Sequence, residues 1–215
     1  MAQLRTVAEF SSAITSDLTW RIREISDLRT VVKKVDVSLR PSLLRAGVPL
    51  IYAHWEGHVV MVGSAYVEFI SLRRPDYSTI KPSFRLNEFF RELSSLSQIQ
   101  TSYKQKIELI YRIIDSGTQK FRRVDEQIVS GMSNFNSNVL ENLCNYLSVD
   151  VNEFKEDCDF IDKILLYRRN NIAHGQYITI DEAGLEEMSD RAIKIMRLFN
   201  NLVENDVVLS AYRVV

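Results

Sequence analysis

The chain's 215 residues, with a hydrophobic share of 46% and a charged share of 26%, suit a globular protein able to bury a full core. Its 7 glycines and 4 prolines are few for an all-β chain, and its net charge of −1 excludes a globally basic nucleic-acid binder. Any contact with nucleic acid must then come from a local patch. Cys144 and Cys158 are too few for a disulfide framework and stand outside metal-binding spacing. The start of the chain lacks the apolar region of a signal peptide, and the most apolar stretch, residues 48–70, carries His54, Glu56, His58 and Glu68. The expectation is a chain without membrane spans, at home in a reducing cytoplasm.

Apolar residues from Leu4 through Ile14, Leu18, Ile22, Ile25 and Val32 recur every three or four positions and predict one long amphipathic helix ending near Asp36. Pro41 and Gly47 then predict a connection, followed by a second helix from about Val48–Pro49 to Arg74. That helix is apolar on most sides, as expected for the centre of a bundle or for a surface shared with a second subunit. Residues 75–82 read as a loop. Helical patterns follow over residues 84–96 and 104–121, with Lys120, Arg122 and Arg123 forming a local basic cluster that is either solvated surface or a guide for RNA. Asn136, Ser137 or Asn138 can cap a helix over 139–147, and a short helix follows Val151. A helix from about Asp159 to Ala173 is stopped by Gly175, Thr179 and Glu182 have the spacing of a capping box, and a last long helix carries Leu185, Met188, Ala192, Ile195, Met196, Phe199 and Val203 on one face. No linker divides the chain, so residues 1–215 are expected to form one all-α domain.

Two stretches stand out. Residues 168–175 read Arg168, Arg169, Asn170, Asn171, Ile172, Ala173, His174, Gly175 and put a fixed cation, a titratable imidazole and two amides in one short segment. Such a set can grip a phosphate and move a proton. On a regular helix five residues at ~100° each leave Arg169 and His174 about 140° apart. Either the helix ends or distorts within the motif, or a second copy of the chain supplies the missing group. In the second stretch, residues 52–58, an apolar helix holds His54, Trp55, Glu56 and His58. The two imidazoles share a face; bundle hydrogen bonds or an interface explain them better than a metal, for which no third ligand is evident.

Both stretches resemble the HEPN superfamily, whose Arg-x4-His motif corresponds to Arg169 and His174, and in particular the HEPN-like proteins of bacterial toxin–antitoxin and defence loci. The resemblance implies an up-and-down helical bundle with additional helices, a dimer whose two motifs line one cleft, and RNA cleavage needing neither metal nor cofactor. It gives Arg169, His174 and Asn170 the catalytic roles, with Glu56, Arg168, Asn171 and Tyr177 in support. Glu56 is expected to orient Arg169 by a charge-assisted hydrogen bond. Where many members place a tyrosine two residues beyond the histidine, this chain has Gln176, followed by Tyr177. The implied partners are an RNA substrate, a second copy of the chain, and an antitoxin or companion HEPN subunit. The alternative is a non-catalytic module of the same fold that binds nucleic acid or protein, and a distant third is a metal-dependent phosphohydrolase through His54, Glu56, His58 and His174.

Overall fold

A computed structural model describes residues 4–96, 102–122 and 127–214, and the described chain is helical throughout, without strands. Helix α1 (Val7–Lys34) starts in a capping box, in which Thr6 Oγ1 accepts from the Glu9 amide and Glu9 Oε2 from the Thr6 amide. Helix α2 (Arg40–Leu72) is 33 residues long and lies between α1 and the last helix, α9 (Glu182–Val208). The periodic apolar residues of α1 and α9 face α2, which buries Ile51, Trp55, Val59, Val62, Tyr66 and Phe69 on several sides.

α2 begins eight residues earlier than the pattern predicted. Pro41 stands at the start of the helix, where its missing N–H costs nothing, and Pro49 lies inside it. Gly47 is helical as well and serves a close approach: a Cβ there would come within 3.0 Å of Leu28 and 3.1 Å of Leu185. The glycine that looked like a breaker lets α1 and α9 close on α2. Most of the apolar surface of α2 is covered from within the chain.

The middle of the chain forms smaller pieces: 3₁₀ turns at Tyr77–Thr79 and Pro82–Arg85, α3 (Leu86–Ser95), α4 (Tyr103–Asp115), a 3₁₀ turn at Ser116–Thr118 and the single turn α5 (Gln127–Ser130). α4 buries only Leu109; Ile107, Ile110, Tyr111 and Ile114, which gave the helical pattern, face solvent. Arg123 lies outside the described residues. Asn136 caps α6 (Ser137–Leu147) by accepting from the Val139 amide. The tail after α9 buries Tyr212 beside Tyr66 and bridges Ile80 through Arg213.

A 3₁₀ stretch, Val151–Asp157, then leads into one continuous helical rod made of α7 (Cys158–Phe160), a π-helical segment (Ile161–Leu166) and α8 (Tyr167–Ala173). The rod packs on α2 and carries the motif. α9 is capped by Asp181, whose carboxylate accepts from the Gly184 amide, rather than by the predicted Thr179. A carboxylate one residue before the helix is the better acceptor there, since it also meets the positive end of the helix dipole.

Candidate nucleic-acid site at the end of α8

The π-helical segment widens the rod just before the motif and buries Ile161 and Leu165, so its apolar face anchors while Arg168, Arg169 and Asn170 stay half-exposed. The helix ends inside the motif. His174 is its C-cap (φ −88, ψ 13), and Gly175 follows with φ +75. The Gly175 amide donates to the Ile172 carbonyl at 3.0 Å and the Gln176 amide to the Asn171 carbonyl at 2.8 Å. Those two bonds are a Schellman motif, which only a residue at ease with positive φ closes without strain. Of the two ways to break the 140° separation, the first is therefore present: the helix stops at the histidine. No hydrogen bond joins Arg169 to His174 within the protomer, and the His174 side chain is exposed without a partner among the described residues.

Arg169 is fixed by three contacts. Its Nη1 donates to Asn170 Oδ1 at 2.7 Å and to Asn134 Oδ1 at 2.9 Å, and its guanidinium lies 4.7 Å above the Tyr52 ring. Asn134 itself holds a left-handed backbone (φ +53), which brings its amide back over α8. The remaining Nε and Nη2 groups bond to nothing among the described residues, so one edge of the fork is open to a ligand.

Glu56 does not bond Arg169 directly. Its Oε1 accepts from the Tyr52 hydroxyl at 3.1 Å, and that hydroxyl also accepts from the Phe135 amide at 2.5 Å. The expected orienting contact is thus replaced by a relay through Tyr52. Tyr52 and Glu56 are one turn apart on α2, and the Tyr52 side chain meets the carboxylate through its hydroxyl and the guanidinium through its ring. Burial and the nearby Glu56 charge push the Tyr52 hydroxyl well above the ordinary tyrosine range, so it stays a neutral donor. Asp162, another conceivable partner for Arg169, is occupied by the Ser137 amide (2.7 Å) and hydroxyl (2.6 Å).

The other predicted residues separate. Asn171 donates from Nδ2 to the Tyr167 carbonyl at 2.7 Å, one turn back along the helix. Arg168 points to the start of α9, with Nη1 3.9 Å from where a Cβ on Gly184 would stand. Tyr177 is exposed and stacks under Arg45, which also donates to the Gln176 carbonyl at 3.1 Å. Sequence reasoning missed Tyr52 and Asn134. Tyr52 stands four residues before Glu56, a signal of shared helix face that was available; Asn134 comes from a turn and gave none.

His54 and His58 face the opposite side of α2. His58 Nδ1 lies 2.8 Å from Asp17, and His54 Nε2 lies 2.9 Å from Glu24, both on α1. Arg21 joins them, bonding Asp17 at 2.7 Å and the His54 carbonyl at 3.3 Å. These imidazoles are bundle hydrogen-bonding groups. The distant metal reading needed His54, Glu56, His58 and His174 together; they are split over two faces of α2 and the end of α8, and no cluster among the described residues could hold a metal ion.

A helical bundle in which a rod packed on the central helix ends at His174, with Arg169 fixed one turn earlier, has the architecture of a HEPN domain. The family model described as RiboL-PSP-HEPN matches residues 16–205, and the chain belongs to that family. No curated protein and no solved structure matches it. No helix among the described residues is long and apolar enough to cross a membrane.

Proposed function

We propose that the protein is a metal-independent endoribonuclease acting as a toxin or defence effector, with Arg169 and His174 as its catalytic residues. The observation that carries this reading is the half-satisfied guanidinium of Arg169, braced on Tyr52 with its Nε and Nη2 open, on the same helical end as a solvent-facing imidazole. In such a site the 2′-hydroxyl of the substrate attacks the adjacent phosphorus. Its proton passes to an imidazole, the O2′–P bond forms, and the P–O5′ bond breaks as the 5′-oxygen takes a proton. The products are a 2′,3′-cyclic phosphate and a 5′-hydroxyl. Arg169 neutralises the phosphoryl oxygens in the transition state by parallel hydrogen bonds. Asn170, which already holds Nη1, keeps the fork in register.

One imidazole serves as base and a second as acid most simply when a second copy of the chain brings its own motif across a two-fold axis. A toxin of this kind is held in check by an antitoxin or a companion HEPN subunit. The lack of a direct Arg169–His174 contact within one protomer favours, as the second reading, a non-catalytic subunit that grips nucleic acid or protein through the same residues.

Incubation of the protein with labelled single-stranded RNA and tRNA in EDTA, with analysis of the product ends, separates the two. Cyclic-phosphate ends that vanish in His174→Ala and Arg169→Ala variants support the nuclease. No cleavage by the folded protein sinks it in favour of the binding module.

A further inference from the structure

At the far end of α2 from Arg169, three separate segments bring arginines to one place. Arg73 caps α2 and Arg74 follows with φ +48, a conformation that L side chains adopt at a cost. Arg122 arrives because residues 119–121 run antiparallel to 75–77: Tyr77 and Phe121 donate to the Gln119 and Pro75 carbonyls, and Lys120 pairs with Asp76 at 2.9 Å. Arg5 comes from just before α1, where its carbonyl accepts from Arg73 Nη2 at 3.2 Å. With Ser71 and Leu72 the four arginines line a pocket of about 400 Å³.

Arg73 is fixed there, laid 3.3 Å from the Phe69 ring centre and donating Nη1 to the Phe69 carbonyl. None of the four side chains pairs with a carboxylate among the described residues, and the nearby Glu9 spends its carboxylate on the Arg5 and Thr6 amides. Compensation of the helix dipole accounts for basic residues at 73 and 74. It does not account for Arg5 and Arg122, which two other segments carry to the same spot. On a chain of net charge −1, four cations in one concavity, with Arg73 fixed and the forks of Arg5, Arg74 and Arg122 open among the described residues, form a local field suited to phosphoryl oxygens.

We propose that this pocket binds the phosphates of an RNA strand, as a backbone docking point about 30 Å from Arg169, the rise of the 21 residues of α2 between Tyr52 and Arg73. The proposal rests on the RNA-binding reading of the motif. It makes the basic cluster around Arg122 a positioning element that bears on affinity and leaves the bond-breaking groups untouched.

The test uses the His174→Ala protein, which leaves RNA intact, with and without Arg74→Glu and Arg122→Glu, both exposed positions. Fluorescence anisotropy with labelled single-stranded RNA is expected to show affinity falling about tenfold or more, with a salt slope smaller by about 1 to 2, at unchanged melting temperature. Inorganic phosphate is titrated in parallel. Unchanged RNA affinity in the variant overturns the proposal, and so does loss of inorganic phosphate binding alone, which marks a site for a small anion. Wild-type protein that binds RNA through the pocket yet cuts none leaves the pocket standing and removes only the nuclease reading.

Discussion

The guanidinium of Arg169 rests 4.7 Å from the centre of the Tyr52 ring, so the cation of the motif is braced by an aromatic face from α2 and not by a carboxylate. The ring is 1% exposed, and its hydroxyl ties Glu56 to the Phe135 amide. Tyr52→Phe keeps the ring and gives up the hydroxyl bonds, an expected loss of about 1–2 kcal/mol. Tyr52→Ala also removes the brace and leaves a cavity, at about 3–5 kcal/mol. Urea denaturation checks both. Equal losses in the two variants would show that the hydroxyl, and not the ring, supports this corner of the site.

Arg169→Lys separates charge from shape. Lysine can keep a cation over Tyr52 but cannot bond Asn134 and Asn170 while presenting two parallel donors to a phosphate. RNA cleavage is expected to fall about 10²–10³-fold with little change in melting temperature. Activity within a few-fold of wild type would mean that a point charge suffices and that the fork geometry plays no part.

The long helices and the motif were legible because periodic apolar residues and an Arg-x4-His spacing are local properties of the chain. What escaped was set by contacts distant in sequence. Pro41 and Gly47 read as breaks, yet the first opens α2 and the second admits Leu28 and Leu185 to its surface. Glu56 is expected to bond Arg169 directly, but it accepts from the Tyr52 hydroxyl instead, while the ring of Tyr52 carries the guanidinium. Asn134 acts through a left-handed turn that no spacing announces. The apolar periodicity of α4 gave a helix correctly while saying nothing of which face would be buried, and the larger face stays outside.

Gly175 holds His174 at the end of α8 by closing the Schellman motif at φ +75, and no atom lies within 4 Å of the position of a Cβ. A substitution there meets no steric neighbour, so its whole cost is the left-handed backbone. Gly175→Ala is expected to lose about 1–2 kcal/mol and Gly175→Asn less, because asparagine enters that region more readily. Cleavage should fall in the same order as the imidazole loses its fixed place. Equal stability of all three proteins would show that the turn is reshaped rather than strained.

His54 and Asp17, between α1 and α2, give a pH dependence whose sign follows from the groups around them. Burial pulls the His54 pKa below its ordinary 6.5 against the opposing pull of Glu24, so the native state keeps it neutral. Its contribution is complete above about pH 6.5, where the unfolded chain is neutral too, and is lost as pH falls and the unfolded chain takes up the proton first. Asp17 behaves as a depressed carboxylate: burial raises it, but hydrogen bonds from His58 and Arg21 outweigh burial and hold it at about 2, below 3.8. That difference stabilises the fold by about 2 kcal/mol above pH ~4 and disappears as pH falls through about 2. Urea midpoints across pH should therefore decline in two stages, the upper one absent in His54→Gln and the lower one absent in Asp17→Asn. A single decline with the same shape in both variants would place the acid-sensitive groups elsewhere in the molecule.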